Sequence, residues 1–568
     1  MIRRYGLWAA VLAMLVSVAG CEQGDSADSE NQEVAQVTIL SDDIPAGLDY
    51  DGPSVPAPSA QEGIVNLVEN LVDNSRGEVN EDGVQLLDFK KFEGRLAESW
   101  DYDPATLTWT FHLRQGVVGC EGASFNADDV LYTFARAKSV SGAIAVSWFE
   151  FNVAAVDAFT PDVITDESKR ELGDEVTKVD DYTVKVRQSA PSQLFLPVMA
   201  TFATGILDKE TMEKHATPDD PWSHKYNDTV NLPGFGPYCL ERWDKGSEFV
   251  VKANPRYYRG APPISRIVYR KVPESANRLA ALRSGAAQVA ENLTPKEIEA
   301  AKQAQGLKVG GVIGNENLFL HMNFKSKPFD NPKVRQAIAT LIPYDPIVND
   351  GYFNQAKKWE GHVPSSFPGY VKPSTQYASD PARAKALLAE AGYPEGRGLD
   401  RFGGSFQLTY VAEKESTLGP IATMVQAALR EAGIPAQLNP VPNSQFVDRL
   451  FVKKDLPFAL DDQEKPVLID AGYALFNAQI SSKAGAPANN TNYSNARVDE
   501  LTAAANVETD QEKRAQMLAE AQEILQKDLN WVPIVERKTQ WAFSERISGL
   551  TWHPENALRW FELSPAES

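Results

Sequence analysis

Cysteine is scarce here: three occur in 568 residues, at positions 21, 120 and 239. None belongs to a CxxC pair or stands near a metal-ligand partner, so nothing supports a thiol-redox centre or a zinc ribbon. Histidine is also sparse and scattered (His112, His215, His224, His321, His362, His553), with no HExxH among them. No metal and no cofactor are expected. GxSxG and GxxxxGK[ST] are both missing, and with them the sequence case for a nucleophile elbow or a phosphate-binding loop. Gly234-Phe235-Gly236-Pro237 begins like a dinucleotide loop, but Cys239 stands at the third glycine position and Pro237 has no N–H to offer a phosphate. That segment is expected to be a tight turn feeding a strand. Basic clusters are lacking too. With a net charge of −21 the surface repels nucleic acid and anionic lipid, and suits a soluble monomer. Carboxylate pairs such as Asp128-Asp129 and Asp219-Asp220 read as caps, turns or solvated faces rather than as an acid–base pair. The expectation is a protein that is not an enzyme.

Long apolar runs are confined to one place. Arg3 and Arg4 precede the run Leu7–Val18, which is too short to anchor in a bilayer of about 30 Å. Ala19 and Gly20 then lead directly to Cys21. This order reads as a bacterial lipoprotein signal over residues 1–20, with a lipid on the Cys21 thiol; a plain secretory signal is the alternative. Residues 21–36 are acidic, with no basic or aromatic residue, and cannot bury enough apolar surface to offset ordering. They read as a flexible tether. The body is therefore expected outside the cytoplasm, lipid-anchored to a bacterial membrane and facing the periplasm or the exterior. In that oxidising setting Cys120 and Cys239 form either a disulfide or two buried thiols.

The body exceeds the roughly 250–300 residues that one core sustains, so at least two lobes are expected. Strand patterns start at VTIL (37–40). From 107 to 114, Leu107, Trp109, Phe111 and Leu113 alternate with polar residues. Residues 182–187 and 248–252 behave similarly. Thr294-Pro295-Lys296-Glu297 has the form of a capping box. Asn331-Pro332 and Asp380-Pro381 open further helices, a helix around 420–432 ends at Gly433, and 495–528 reads as two helices. Asn126 with Asp128 and Asp129 fits a helix start. This mixture argues α/β or mixed α+β without repeats.

Several blocks resemble the large extracellular solute-binding proteins of ABC importers, the group of oligopeptide, dipeptide and nickel binders: 96–117 with 125–139, GFGPYCLERWDKGSEFVVKANPRYYRG (234–260), LFLHMNFKSKPFDNPKVRQAIATLI (318–342), 380–396 and 493–534. The resemblance implies a two-lobed clamp closing on a small solute. The first lobe would hold 37–310 plus 530–568, with 73–200 as an extra subdomain, and the second 311–529; two crossings would make the hinge. The partners implied are a short peptide or another amine-bearing solute, and a permease–ATPase complex. In peptide-binding relatives an acid in a W-x-A-D-Y-x-x-P-like segment meets the ligand ammonium. Here Asp461 takes that position, followed by Asp462, while Phe458 stands in the tryptophan's place; a turn at Asp461-Asp462 is the alternative. Trp359 would stack on a ligand or cation, or serve ordinary packing within a lobe. Tyr473 and Phe476 would wall the pocket or fill a core. Tyr50 and Asp51, after the first strand, would line the cleft or lie in an exposed loop. Arg449, Lys453 and Lys454 would form a solvated helix end or meet a ligand carboxylate. A nickel-chelate, sugar or opine cargo is the rival on the same fold, and a hydrolase or assembly factor reusing it is the rival of another class.

Overall fold

VTIL becomes β1 (Gln36–Ser41), buried from Val37 onward. In the computed structural model, which describes residues 36–52, 56–139, 146–156, 172–462, 465–479 and 489–566, this strand lies between two parallel partners, so both its faces are covered. The signal segment, Cys21 and the tether up to residue 35 lie outside the described residues.

After α1 (Pro58–Leu67) come the hairpin β2 (Val72–Val79) and β3 (Gln85–Gly94), then β4 (Ala97–Asp103) and β5 (Thr108–Leu113). The alternation expected from 107 starts one residue later, because Leu107 takes a left-handed turn conformation (φ 53°). Helices α2 (Ala127–Lys138) and α3 (Val146–Val153) precede β6 (Val176–Asp180), β7 (Thr183–Arg187) and α4 (Phe195–Met199). Strands β4-β5-β7-β6 form one sheet, and Phe111, Phe134, Phe151, Val184 and Phe195 share its core. Helix α2 carries a full capping box: Asn126 accepts from the Asp128 N–H while Asp129 accepts from the Asn126 N–H at 2.8 Å.

The chain continues through β8 (Tyr238–Asp244), β9 (Glu248–Ala253), β10 (Arg266–Lys271), β11 (Val289–Ala290), α5 (Pro295–Lys302) and β12 (Leu307–Met322). Cys120 and Cys239 are joined, which decides between the two readings of that pair and ties the turn after β5 to β8. The glycine turn before β8 is a close approach: a Cβ on Gly236 would lie 2.5 Å from the Leu67 carbonyl carbon at the end of α1. At α5 the expected box takes another form. The Thr294 hydroxyl donates to Glu297 instead of accepting from the helix backbone.

Later elements include α6 (Pro332–Ala339), β13 (Ala356–Lys358), α7 (Pro381–Glu390), β14 (Gln407–Val411), α8 (Glu415–Glu431), β15 (Gln437–Val441), β16 (Phe458–Asp461), α9 (Ala471–Ala478), α10 (Ala496–Val507), α11 (Gln511–Asp528) and β17 (Trp531–Ser544). Helix α8 begins before the expected 420 and contains Pro420, because Leu418, Ile421 and Val425 form one buried face whose packing outweighs one lost backbone bond.

One large mixed sheet runs β15-β14-β16-β12-β17-β11-β1-β10-β9-β8, with β13 on β17. It serves two cores. Val37, Ile39, Phe249, Ile267 and Trp560 belong to the first; Val334, Ile338, Leu408 and Phe458 belong to the second. Strands β12 and β17 feed both, with Val312 and Trp541 in the first and Leu318, Leu320 and Val532 in the second. Between the cores their pairing breaks. Ile313 faces Lys538 and Asn317 faces Glu536, so Gly314, Asn315 and Glu316 bulge opposite Arg537 alone. The architecture is mixed α/β and two-lobed.

Candidate functional site

Strand β16 presents alternate residues to opposite faces of the sheet. Phe458 and Leu460 enter the second core, so Asp461 points the other way. It pairs in register with Phe319 of β12, which places both on that opposite face. Phe319 there joins Trp359, Ala478 and Trp531 in a buried cluster. Ring centroids are 4.2 Å apart for Phe319–Trp531, 6.4 Å for Phe319–Trp359 and 6.2 Å for Trp359–Trp531. Asp461 is fully buried. A carboxylate beside aromatic faces, away from water, suits an ammonium group: it can form a charge-assisted hydrogen bond while the rings contribute cation–π attraction. Trp359 is oriented by its own indole, which donates to the Val363 carbonyl at 2.9 Å. The Trp531 indole N–H and both amide atoms of Gln479, at the end of α9, are buried without a partner among the described residues. Buried polar groups are ordinarily paired, so this side of the sheet holds unspent hydrogen-bonding capacity.

Asp462 goes elsewhere. The next residue of an extended strand faces the reverse side, and there the Lys414 ammonium donates to both its oxygens at 2.7 and 2.8 Å, with Arg537 at 3.3 Å. Burial opposes ionisation, but these two cations outweigh it and hold the carboxyl below its usual range. The neighbouring acids predicted together thus occupy different settings: Asp461 faces the aromatic cluster, and Asp462 joins the bulge between the crossing strands.

Tyr473 and Phe476 lie on α9, between that sheet face and the four-stranded sheet's core. Tyr473 is buried in the latter and Phe476 packs against it. The Tyr473 hydroxyl donates to Glu150 of α3 at 2.8 Å. Burial pushes the Glu150 carboxyl up to about 7, against the pull of that hydrogen bond. Tyr50 belongs to the first core and is not part of the aromatic cluster on the Asp461 face. Tyr50 is fully buried and donates to the Gly205 carbonyl. Asp51 is clasped by the buried guanidinium of Arg136, which also reaches Asp49 at 2.8 Å and the Trp222 carbonyl at 2.8 Å. The exposed-loop reading of Tyr50 and Asp51 is overturned by this burial. Asp49, Asp51 and His224 lie close enough together to hold a cation, but Arg136 already supplies positive charge to both carboxylates, so the set does not fit a metal ion. Arg449 and Lys453 pair locally, with Asp455 at 2.9 Å and Asp448 at 2.5 Å.

A cavity of about 440 Å³ opens nearby, between Phe89 and Phe92 of the hairpin, Pro197 of α4, residues Val467–Asp470 and the His553–Glu555 segment. It is flanked by the ion pairs Arg514–Asp470 and Arg95–Asp73, at 2.7 and 2.8 Å. Asp461 and Trp359 are not on its wall.

Phe319, Trp531 and Gln479 were not singled out in the sequence. A signal existed for the first two: LFL (318–320) and WVPIV (531–535) are apolar at consecutive positions, the mark of strands covered on both faces. Gln479 carries no such mark.

Residues 91–463 match the family model of bacterial extracellular solute-binding proteins, family 5 (middle part). The chain is 28% identical over 482 residues to the glutathione-binding protein GsiB of Salmonella typhi, spanning 82% of this chain and 85% of that one. It is 30% identical over 352 residues to the dipeptide-binding protein of Escherichia coli (strain K12), spanning 60% and 62%. Among solved structures, the ABC transporter-associated periplasmic binding protein DppA from Helicobacter pylori in complex with peptide STSA superposes with a TM-score of 0.78 at 23% identity, covering 94% of this chain and 98% of that one.

Proposed function

Because the chain belongs to the family 5 bacterial extracellular solute-binding proteins, we propose that it captures short peptides, or another amine-bearing solute, between its two lobes and hands them to an ABC permease and its ATPase. No bond of the solute is made or broken. The observation that carries this reading is the placement of Asp461, buried on a strand adjacent to a lobe-crossing strand and on the face shared with Phe319, Trp359 and Trp531. Capture then needs only that the solute touch both lobes better when they are shut, since a ligand shifts a conformational equilibrium by its differential affinity. The relatives' printed ligands, glutathione, dipeptides and a peptide, all carry an amino group, which supports the reading. A lipid on Cys21 would keep the clamp beside its permease.

The test is thermal unfolding of the mature chain with dialanine and with N-acetyl-dialanine. Ligand at about 100 times its Kd stabilises by about 2.7 kcal/mol. Dialanine should raise Tm, the acetylated form should not, and Asp461→Asn should abolish the difference. Equal stabilisation by both forms would remove the ammonium from the account, and a screen with nickel chelates, sugars and opines would then identify the cargo. Mass spectrometry of the N-terminal peptide from native membranes tests the lipid at Cys21.

A further inference from the structure

Building on the ligand site proposed above, we propose that Arg537 and Glu316 are positioning residues forming an electrostatic latch, which fastens Asp462, Lys465 and Pro466 to the segment 554–556 and so favours the closed clamp. The latch is built on the bulge of β12. Asn315 is buried there, and its amide N–H group donates both to the Pro466 carbonyl, at 2.8 Å, and to the Pro554 carbonyl. One side chain thus joins the stretch that follows β16 to a stretch packed with the first core. Asn556 closes the other side, donating to the Asn315 oxygen at 3.1 Å and to Glu316 at 3.0 Å. Glu316 also meets Arg537 and Lys465. Arg537 reaches on to Asp462 at 3.3 Å, and Asp462 is held by Lys414 ahead of α8. The next residue of β17, Lys538, pairs with Asp82 in the β2–β3 hairpin.

The chemistry makes this more than packing. Glu316 and Asp462 are nearly buried, at 12% and 2% side-chain exposure, and each needs its countercharges. The partners come from different places: Arg537 from a crossing strand, Lys414 and Asp462 from the second lobe, Asn556 from the first. Opening the clamp would turn β12 and β17 at the bulge and draw Pro466 and Pro554 apart, so the carbonyls could no longer share the Asn315 amide. Because Asp462 is covalently next to Asp461, the hold on Asp462 also fixes the direction of the proposed ammonium anchor. The lysines are about a third exposed (29% for Lys465, 37% for Lys414), so added salt reaches and weakens the network.

The experiment is small-angle scattering of the mature chain without ligand, from about 20 to 500 mM NaCl, a range over which the Debye length falls several-fold, alongside calorimetric titration with dialanine. The wild type should be compact at low salt and expand as salt rises. Glu316→Gln and Arg537→Gln should be expanded at both ends of the range and bind dialanine about ten-fold more weakly, within the usual span of coupling between sites; Arg537→Lys should recover part of the compaction. Lys465→Gln, at a more exposed site, should show an intermediate expansion, and with the wild-type salt series it decides the matter if an Arg537 variant fails to fold. A radius of gyration indifferent to salt and to every variant, with dialanine still bound, overturns the latch and leaves the ligand reading intact. Salt-dependent compaction without dialanine binding by any form leaves the latch standing and overturns the peptide reading.

Discussion

At the crossing strands, Glu316 and Asp462 meet Arg537, Lys414 and Lys465; in the first core, Glu62 and Glu291 meet Tyr269, Trp560 and each other. The Tyr269 hydroxyl donates to Glu291 at 3.0 Å, and the Trp560 indole donates to Glu62 at 2.8 Å. All four acids are shielded from water. In the first core, burial raises both carboxyls, Glu62 well above its ordinary value, and no ion pair to either carboxylate is seen among the described residues, so that the pair shares a proton. At the crossing strands burial acts in the same direction, yet the cations overcome it and keep both acids ionised. Burial alone therefore does not set the charge of a carboxyl; the neighbour does. A region held by a shared proton tolerates salt and acid, and one held by ion pairs tolerates neither.

The strongest way to break this contrast is to remove the guanidinium. Arg537→Met leaves Glu316 and Asp462 with one lysine each, and should cost about 3 kcal/mol, the low end of the range for breaking a buried ion pair, measured by urea unfolding. The next is pH. Glu291 titrates near 7 in the fold against 4.5 unfolded, so the folded state binds more protons between those values. Its contribution is complete below about 4.5 and is lost as pH rises through about 7, by up to roughly 1.4 kcal/mol per unit. Asp462 runs in the opposite sense: lowered from 3.8, its contribution is present above about pH 4 and is lost on further acidification. Urea midpoints across pH 3 to 8 should therefore fall at both ends. Gly314→Ala tests the bulge without touching charge. A Cβ there would lie 2.4 Å from the Trp552 ring, and overpacking should cost about 1–3 kcal/mol, read as a fall in Tm that is insensitive to salt. The smallest effect belongs to Glu62→Gln. Its amide oxygen can still accept from Trp560, so stability at pH 5 should change by less than about 1 kcal/mol, while the loss between pH 5 and 7 flattens.

Sequence alone located Asp461 and Asp462 as a pair without separating them, because the alternation that sends one to the aromatic cluster and the other to Arg537 is fixed only when Phe319 pairs with Asp461. Tyr50 and Asp51 show a different barrier. Their surroundings are set by Arg136 and Gly205, distant in the chain, and no local pattern announces that meeting. Local chemistry was readable where it is self-contained. Asn126 and Asp129 form their box within one turn, and the helices of 495–528 appear with Leu501 and Leu525 buried. Thr294 and Glu297 carry the same pattern as a box, but the threonine hydroxyl bonds the glutamate directly. The bulge at Gly314–Glu316 left no trace in composition, since it arises from how two strands align.

Strand β17 is the last long element of the chain, yet it lies inside the large sheet, between β12 and β11. A polypeptide made from its N-terminus has both half-sheets before it has the piece that unites them. Synthesis that stops short of Trp531 leaves bare edges on β11 and β12, a template for pairing with other chains. Biogenesis of this protein is consequently all-or-nothing with respect to Trp531–Ser544, and products that lack this strand should be recovered as aggregates or protease substrates rather than as isolated lobes.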